Sequence, residues 1–331
     1  MTATDTVSIR RADEADLDEV IDVCGRALEW SEPDVDTAFF MWKHVENPFG
    51  PSPIWVAEET DDGQRPIVGV RALMRWELRD GSGSERRLVR AVDTATLPTH
   101  QGRGIFSRLT MAAVDDLTAD GVDAVFNTPN DKSRPGYLKM GWESLGRVPV
   151  VVRPRSPLTL VAMARSRVAA DKWGQPTDVG LSPAEVFADD ERIDAVIASV
   201  TAPEGWRTPL SARYLRWRTG FEPLACRVEP LGASVDAGFV VFRLRARGEL
   251  LQLSLLHIVN PRGRSLRRAL ARLLAETEAD VLLSSGRSPG VAAGMVPLPR
   301  TGPILTWRTL ADDVVPSMAD LDVPLGTVEL F

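Results

Sequence analysis

A glycine-bearing basic turn, residues 101–106 with the sequence QGRGIF, has the residue types and spacing to hold a phosphate. It follows a run rich in valine, leucine, alanine and threonine that predicts a strand over residues 86–97. Apolar residues then recur at helical spacing from Ile105 to Leu117, so the turn is predicted to open a helix. Glycines let the main chain approach a ligand closely, and the free N–H groups of a first helical turn favour an anion. Because short Gly-Arg-Gly stretches are common, a plain surface turn is the alternative interpretation.

A second group of polar and glycine residues follows the next predicted strand, residues 122–126. Its members are Asn130, Ser133, Tyr137, Lys139, Gly141 and Trp142. With Gln101 and Gly104 of the turn, this order resembles the paired motifs of the GNAT superfamily of N-acetyltransferases, Gln/Arg-x-x-Gly-x-Gly/Ala and then Asn-x-x-Ala/Ser-x-x-x-Tyr-x-Lys-x-Gly-Phe. Phe106 departs from the small residue that ends the first motif, and Trp142 takes the place of the final phenylalanine. Two ordered motifs at a compatible spacing are much more specific than either motif alone.

The resemblance implies an α/β (α+β) fold with two GNAT-like domains, each a mixed, mostly antiparallel twisted sheet flanked by helices. It also implies acetyl-CoA as the co-substrate, with its diphosphate on the main-chain N–H groups of the turn and its pantetheine arm beside the end of the preceding strand. The residues carried over as coenzyme contacts are Ala95, Thr96, Leu97, Gln101, Gly102, Arg103, Gly104, Ile105, Phe106 and Asn130.

The resemblance further implies that the hydroxyl of Tyr137 faces the thioester sulfur and can protonate the departing thiolate. The alternative is a tyrosine that only caps the core. An alkylammonium acceptor has a pKa of about 10.4, so a base must remove a proton before attack. Asp93, on the strand predicted to contact the coenzyme, is the first candidate for this catalytic base, and His100 is the second. The alternatives are an ion-pair partner for a neighbouring arginine at Asp93 and a structural role for His100.

The composition is that of a globular protein with more than one domain. The 331 residues exceed what one compact domain usually needs, and 44% of them are hydrophobic and 26% charged. The net charge of −7 argues against a general nucleic-acid-binding role, because phosphates repel an acidic surface. The two cysteines and three histidines are too scattered to predict a disulfide or a metal site. With no long apolar run and no leader at the N-terminus, we expect a cytoplasmic protein that binds neither nucleic acid nor membranes.

The second half of the sequence predicts a degenerate copy of the first. The spacing from Trp42 to Pro48 recurs between Trp217 and Pro223, and strand, helix and strand patterns follow in the same order. Ser265 replaces the second glycine of the turn, and no asparagine-to-tyrosine motif follows. We therefore predict a catalytically silent second copy, with a second active site as the alternative.

The predicted domains are residues 1–153 for the catalytic N-terminal domain and residues 176–331 for the degenerate C-terminal domain. Residues 154–175 form the predicted link between them, with a helix over residues 156–172. The apolar tail, residues 325–331, is predicted to form an edge strand. A terminal carboxylate that reaches the active site as a base is the alternative for this tail.

Together these features predict an N-acetyltransferase that moves an acetyl group from acetyl-CoA to a primary amine of a small molecule by direct attack in a ternary complex. An amino sugar, an antibiotic or a polyamine would be such an acceptor. Acetylation of a protein N-terminus or lysine is a second enzymatic interpretation. A non-catalytic acyl-CoA-binding or scaffold protein, mildly favoured by Phe106, is a third. The sequence leaves open the acceptor, the acyl-chain preference and the oligomeric state, for which a homodimer is one possibility.

Overall fold

The computed structural model describes residues 7–60, 64–165, 168–200, 204–287, 289–311 and 315–328. Its strands are β1 (Val7–Arg11), β2 (Ile54–Glu59), β3 (Ile67–Arg79), β4 (Glu85–Thr96), β5 (Ala124–Asn127), β6 (Glu143–Arg147), β7 (Val150–Pro154), β8 (Trp206–Arg207), β9 (Arg227–Pro230), β10 (Phe239–Arg247), β11 (Leu250–Val259), β12 (Val281–Ser285), β13 (Val296–Pro297), β14 (Ile304–Thr309) and β15 (Leu321–Asp322). Its α-helices are α1 (Leu17–Ala27), α2 (Pro33–His44), α3 (Ile105–Ala119), α4 (Arg134–Lys139), α5 (Pro157–Arg165), α6 (Pro183–Val186), α7 (Asp190–Ala198), α8 (Ala212–Gly220), α9 (Gly263–Glu276) and α10 (Leu325–Val328). None of the described helices is both long and apolar enough to cross a lipid bilayer.

The helix predicted over residues 156–172 is shorter than expected. α5 ends at Arg165, and residues 168–171 are not helical. The backbone N–H of Asp171 instead donates to the carbonyl of Ala246 at 2.8 Å, and Gln175 N–H donates to Leu244. The chain therefore leaves the helix to run beside β10, a tertiary contact that apolar spacing alone does not reveal.

The predicted edge strand at the tail is wrong for residues 325–328, which form the short helix α10. The backbone N–H groups of Thr327 and Val328 both donate to the carbonyl of Pro324, at 2.8 and 3.2 Å. Pro324 thus precedes the helix and supplies the carbonyl that accepts its first hydrogen bonds. Residues 329–331, including the terminal carboxylate considered as a base, lie outside the described residues.

The first of two compact units comprises residues 1–78, 85–145 and 305–315. Its strands hydrogen-bond in the order β1-β2-β3-β4-β5-β14-β6. β2 is antiparallel to both β1 and β3, β4 and β5 are parallel, and β5 and β14 are antiparallel. This mixed sheet with flanking helices confirms the predicted fold class.

The core of unit 1 forms because apolar stripes of two helices cover long apolar strands. β3 is buried along nearly its whole length, as the largely apolar sequence of its first eight residues predicts. α1 buries Val20 and Val23, while α3 buries Leu109 and Ala113. These side chains belong to one hydrophobic cluster, which packs α3 against β2 and β4.

The second unit comprises residues 79–84, 146–304 and 316–331. Its main sheet has the strand order β13-β7-β12-β11-β10-β9. β10 is antiparallel to β9 and β11, β11 and β12 are parallel, and β12 and β7 are antiparallel. α9 packs its buried leucines, Leu266, Leu270 and Leu273, into the core of this unit.

The observed division differs from the linear boundary predicted after residue 153. β7, from the predicted first domain, pairs with β12 in unit 2, and β14, from the predicted second domain, pairs with β5 in unit 1. The apolar alternation of a strand fixes which face is buried but not which strand lies beside it. The two units thus contain one strand each from the opposite part of the sequence.

Both units contain the same order of elements. Unit 1 has β2-β3-β4-α3-β5, and unit 2 has β9-β10-β11-α9-β12. In each, the strand after the helix pairs in parallel with the strand before it, so the helix is the crossover connection that parallel strands need. This common order supports the predicted internal repeat.

His257, in β11, makes the stability of the protein sensitive to acid. Burial, and then the charge of Arg218, lower the pKa of His257 from 6.5 to about 3. The folded state therefore keeps this imidazole neutral while the unfolded state takes up a proton below pH 6.5. Because the unfolded state binds more protons, we expect stability to fall as the pH falls from 6.5 toward 3, by about 1 kcal/mol for each pH unit well below 6.5. Urea unfolding between pH 7.5 and pH 4.5 measures this slope, which should be shallower in His257→Gln. An unchanged slope in that variant would contradict the assignment to His257.

Candidate functional site

The predicted phosphate turn connects β4 to α3 through two glycines with left-handed backbone. Gly102 has a φ of +76°, and Gly104, the N-cap of α3, has a φ of +74°. A Cβ atom added to either residue would meet no atom within 4 Å. Glycine is therefore required here by the backbone conformation. The open space in front of the turn lets a ligand come close to the main chain.

The main-chain N–H groups at the start of α3 are available as donors. The first N–H groups of a helix have no acceptor within it. In α3 the N–H of Arg108 bonds back to the carbonyl of Gly104 at 3.1 Å. The N–H groups of residues 102–106 precede this bond, where the helix dipole places partial positive charge. This is the arrangement predicted for holding a diphosphate.

We expect Gly104→Ala to lower the free energy of unfolding by about 1–2 kcal/mol, because a Cβ atom is strained in the left-handed conformation. The matched control is Gly263→Ala at the start of α9, where the added Cβ also meets no atom within 4 Å but φ is not positive. That control should be neutral or stabilising by up to about 1 kcal/mol. Urea unfolding of both variants measures the difference. Equal losses of stability would contradict a special backbone at Gly104.

β4 separates from β5 beside the turn. The two strands pair in parallel only over residues 88–90 of β4, although β4 continues to Thr96. The predicted pantetheine contacts Ala95, Thr96 and Leu97 lie at this end of the strand. Gln101 Nε2 donates to the carbonyl of Thr96 at 3.3 Å, which ties the turn to the strand. The structure therefore brings the strand residues and the turn residues of the prediction together.

Glu59, at the end of β2, holds the two basic residues of the loop. One carboxylate oxygen lies 2.8 Å from His100 Nε2, and the other accepts from Arg103 at 3.0 Å. His100 Nδ1 lies 2.8 Å from the hydroxyl of Thr99, so both ring nitrogens are engaged. These contacts favour the structural alternative for His100. The side chain of Arg103 remains 39% exposed beside the turn.

Tyr137, on α4, is 5% exposed and is held between two aromatic rings. Its ring meets that of Phe106 edge to face, with centroids 5.5 Å apart, and that of Trp142 with centroids 5.2 Å apart. Both partners are positions where the sequence departs from the family motifs. The ring of Phe106 lies 3.3 Å from where a Cβ of Gly136 would be, so it packs on α4. Phe106 therefore helps to fix Tyr137 in place.

The hydroxyl of Tyr137 accepts a hydrogen bond from Arg71, a residue that the sequence reasoning missed. Arg71 Nη1 lies 2.9 Å from the hydroxyl oxygen and also bonds to the hydroxyl of Thr94. The guanidinium carbon lies 5.4 Å from the centroid of Tyr137 and 5.6 Å from that of Phe106, close enough for cation–π attraction. The feature of the sequence that could have indicated this residue is that Arg71 is the one charged residue in the otherwise apolar run of residues 67–74.

Arg71 is fully buried, and its charge has no carboxylate partner among the described residues. Its Nε and Nη2 atoms are buried, and within the same residues neither has a hydrogen-bond acceptor. Unpaired buried donors are costly, and a buried guanidinium without a counter-charge is more so. Negative charge that develops beside Tyr137 would supply the counter-charge that Arg71 lacks.

Asp93, the first candidate for the base, lies in a group of polar residues beside α2. Its Oδ2 atom bonds to Lys43 Nζ and lies 2.7 Å from His44 Nε2. His44 Nδ1 lies 2.8 Å from the hydroxyl of Ser52. Burial opposes ionisation of Asp93, but the charge of Lys43 and the hydrogen bond from His44 outweigh it and lower the pKa of Asp93 well below its usual value. The predicted ion-pair partner, an arginine, is thus a lysine.

The contacts of Asp93 predict a large structural cost of its replacement. We expect Asp93→Asn to lower the free energy of unfolding by about 3–5 kcal/mol, because it removes the negative charge that pairs with the buried ammonium of Lys43. Urea unfolding measures this loss. The double variant Asp93→Asn with Lys43→Met is the control and should recover part of it. If Asp93→Asn is as stable as the parent, the ion pair between Asp93 and Lys43 does not stabilise the folded state.

The side chain of Asn130 forms hydrogen bonds with the backbone of the loop that follows it. Its Oδ1 atom accepts from the backbone N–H groups of Lys132 and Ser133, at 3.0 and 2.9 Å. These bonds shape the loop that leads from β5 into α4 and so help to set the position of Tyr137. A direct contact of Asn130 with the coenzyme stays a prediction. Within the described ranges, no group of three His, Cys, Asp or Glu side chains is placed to hold a metal ion.

The glycine turn at the start of α3, the end of β4 that separates from β5, and the buried Tyr137 lie on the mixed α/β sheet of unit 1. Residues 8–145 match the model of the acetyltransferase (GNAT) domain. The chain therefore contains a GNAT acetyltransferase domain, and the resemblance seen in its motifs is confirmed.

Solved structures of the same fold include three bacterial proteins. They are a GCN5-related N-acetyltransferase from Kribbella flavida (15% identity, TM-score 0.57), a probable N-acyltransferase from Enterococcus faecalis (14%, 0.62) and Eis1 from Mycobacterium abscessus (18%, 0.53). Each alignment covers 92% of this chain and 71%, 72% and 73% of the respective relative. No protein of curated function matches the chain. At sequence identities this low, the structural similarity shows a common fold and nothing further.

Proposed function

We propose that this protein is an N-acetyltransferase that moves an acetyl group from acetyl-CoA to a primary amine of a small molecule, by direct attack in a ternary complex. One observation carries the proposal. Phe106, the last residue of the glycine turn, packs edge to face on Tyr137. The donors suited to a diphosphate and the hydroxyl suited to a leaving thiolate are therefore neighbours within unit 1.

The residues present fit acetyl-CoA, which supplies the activated thioester. The N–H groups of residues 102–106 lie at the start of α3, where an added Cβ at Gly102 or Gly104 would meet no atom within 4 Å, and they can hold the diphosphate. The partly exposed side chain of Arg103, paired with Glu59, lies beside them. The backbone at the end of β4, residues 95–97, is placed to pair with the amide groups of the pantetheine arm.

Tyr137 acts as the proton donor to the leaving group. Its oxygen accepts from Arg71, so its own hydrogen is free to be donated elsewhere. A thiol has a pKa of about 8.5, so the thiolate is a fair leaving group, and one proton converts it to the free thiol. The positive charge of Arg71, 2.9 Å from the same oxygen, favours negative charge that develops nearby.

Asp93 is the proposed recipient of the amine proton. Its side chain is 17% exposed, and Lys43 and His44 keep it ionised and therefore able to accept a proton at neutral pH. A carboxylate with a low pKa is a weak base. The amine attacks in its neutral form, after its ammonium has lost a first proton to solvent. Asp93 then takes the second proton, because the nitrogen becomes far more acidic as its bond to the carbonyl carbon forms.

A cationic acceptor agrees with the charge of the protein. The chain has 46 acidic and 39 basic residues, so its field attracts amines and repels anions. The acceptor class is tested by thiol release from acetyl-CoA with two panels of amines. One panel contains an amino sugar, an aminoglycoside and a polyamine, and the other contains peptides with a free N-terminus or an internal lysine.

We expect thiol release at least ten times above hydrolysis with the small amines and not with the peptides. Release with peptides alone would replace the proposal by protein acetylation. Calorimetric binding of acetyl-CoA without release for any amine would indicate a non-catalytic acyl-CoA-binding protein.

A further inference from the structure

Unit 2 contains a cavity of about 580 Å³ at the point where β11 separates from β12. These strands pair in parallel over residues 252–254 and 281–283, but β11 continues to Val259. Residues 255–259 of β11 and Ser284 and Ser285 of β12 line the cavity. In unit 1, β4 and β5 separate in the same way beside the phosphate turn. The cavity therefore occupies, in the second copy, the topological position of the coenzyme site in the first, and its volume suits a small ligand.

The start of α9 lacks the features that would hold a diphosphate. α9 begins at Gly263 after Arg262, whose φ is −99°, and Gly263 does not have a positive φ. After β12 the chain forms a 3-10 turn over Pro289–Ala293, where unit 1 has the asparagine-to-tyrosine motif. Because the phosphate turn is missing while the cavity remains, the cavity suits a ligand other than a coenzyme.

The charged residues of the cavity wall favour an anion. Among the described residues that line it, Arg79, Arg207 and Arg287 are basic and Asp322 is acidic. This local excess of positive charge contrasts with the net charge of −7 of the whole chain. The guanidinium of Arg287 donates to two main-chain carbonyls, which hold it in place, and its charge helps to lower the pKa of the nearby Asp320.

The rest of the wall is largely apolar. Leu210, Leu255, Leu256 and Val259 contribute to it. His257 adds no positive charge at neutral pH, because burial and the charge of Arg218 lower its pKa to about 3. Arginines together with leucines and a valine are suited to an amphipathic anion, whose apolar part gains from burial and whose charge gains from the guanidinium groups.

We propose that this cavity binds a small organic carboxylate, with its apolar body against β11 and its charge held by Arg79, Arg207 and Arg287. Unit 2 is then a ligand-binding unit, and its ligand differs in class from both acetyl-CoA and the amine acceptor. The binding does not depend on acetyl transfer in unit 1.

Octanoate is a suitable probe, with octylamine and 1-octanol as probes of equal length and different charge. Isothermal titration calorimetry on the full chain should show octanoate binding at least ten times more tightly than either of the other two. The double variant Arg79→Gln with Arg207→Gln should remove this preference. Equal affinity for octanoate and octylamine, or no heat with octanoate, would overturn the proposal.

A pair of variants on α7 tests the location. Ala198 is exposed, lines the cavity and ends α7, so Ala198→Trp fills the opening without disturbing the core. Ala195 is exposed on the same helix and does not line the cavity, so Ala195→Trp is the matched control. We expect at least a ten-fold loss of octanoate affinity in Ala198→Trp and none in Ala195→Trp. Unchanged octanoate binding in Ala198→Trp, or loss of a second equivalent of bound acetyl-CoA in that variant, would overturn it.

Discussion

Replacing Tyr137 by phenylalanine is expected to lower the turnover of acetyl-CoA-dependent acetylation by about one hundred- to ten-thousand-fold, the usual size of general acid–base help. The variant removes only the hydroxyl oxygen. The edge contacts of the ring with Phe106 and Trp142 remain, so the position of α4 and the binding of acetyl-CoA should change little. The expected pattern is therefore a lower kcat at a similar KM and a similar calorimetric Kd for the coenzyme.

The chain offers a matched control, since it has two tyrosines. Tyr214, in unit 2, is 1% exposed, and its hydroxyl lies 3.3 Å from His257 Nε2 and 3.4 Å from the carbonyl of Gly326. Tyr214→Phe thus removes a buried, hydrogen-bonded hydroxyl outside the acetyltransferase unit and should leave turnover unchanged. Equal turnover in Tyr137→Phe and the parent would remove Tyr137 from the mechanism.

The sequence was sufficient to predict those parts of the site that are set locally. A left-handed turn needs glycine at Gly102 and Gly104 whatever surrounds it, and the apolar spacing of α3 follows from one buried face. The strand before the turn and the helix after it are adjacent along the chain. Their relative position therefore depends on few distant contacts.

The sequence could not predict the parts that depend on strand neighbours. Arg71 on β3 reaches Tyr137 on α4 across 66 positions of the sequence, and Lys43 reaches Asp93 across 50. Neither pair has a spacing that a linear pattern can reveal. The placement of β7 and β14 in opposite units has the same cause, because alternation along one strand does not identify its partner. A lone arginine in an apolar strand nevertheless indicates a functional or structural role, because charged side chains are rarely buried without one.

Replacing Arg71 by methionine is expected to lower kcat by about one hundred- to one thousand-fold, the effect of removing one donor from a preorganised site for developing negative charge. The guanidinium bonds to the hydroxyl of Tyr137 and has no carboxylate partner within the described residues. Its loss removes both the group that orients the hydroxyl and the charge that favours a nearby thiolate.

Stability should respond differently from turnover in Arg71→Met. Exchange of a buried charged group for an apolar side chain of similar volume is often neutral or stabilising. We therefore expect no loss in the free energy of unfolding. Arg243→Met is the matched control, because Arg243 is equally buried in β10, the strand of unit 2 that corresponds to β3. That control should retain full turnover.

Arg71→Lys and a double variant separate positioning from charge. Lysine keeps the positive charge but not the planar fork, so recovery of turnover in Arg71→Lys would assign the effect to charge. If Arg71 acts through the hydroxyl of Tyr137, the double variant Arg71→Met with Tyr137→Phe should be no slower than Tyr137→Phe alone. Effects that multiply would instead mean that Arg71 stabilises the leaving group independently. A stable Arg71→Met variant with parental turnover and an unchanged pH profile of kcat would show that Arg71 has no catalytic role.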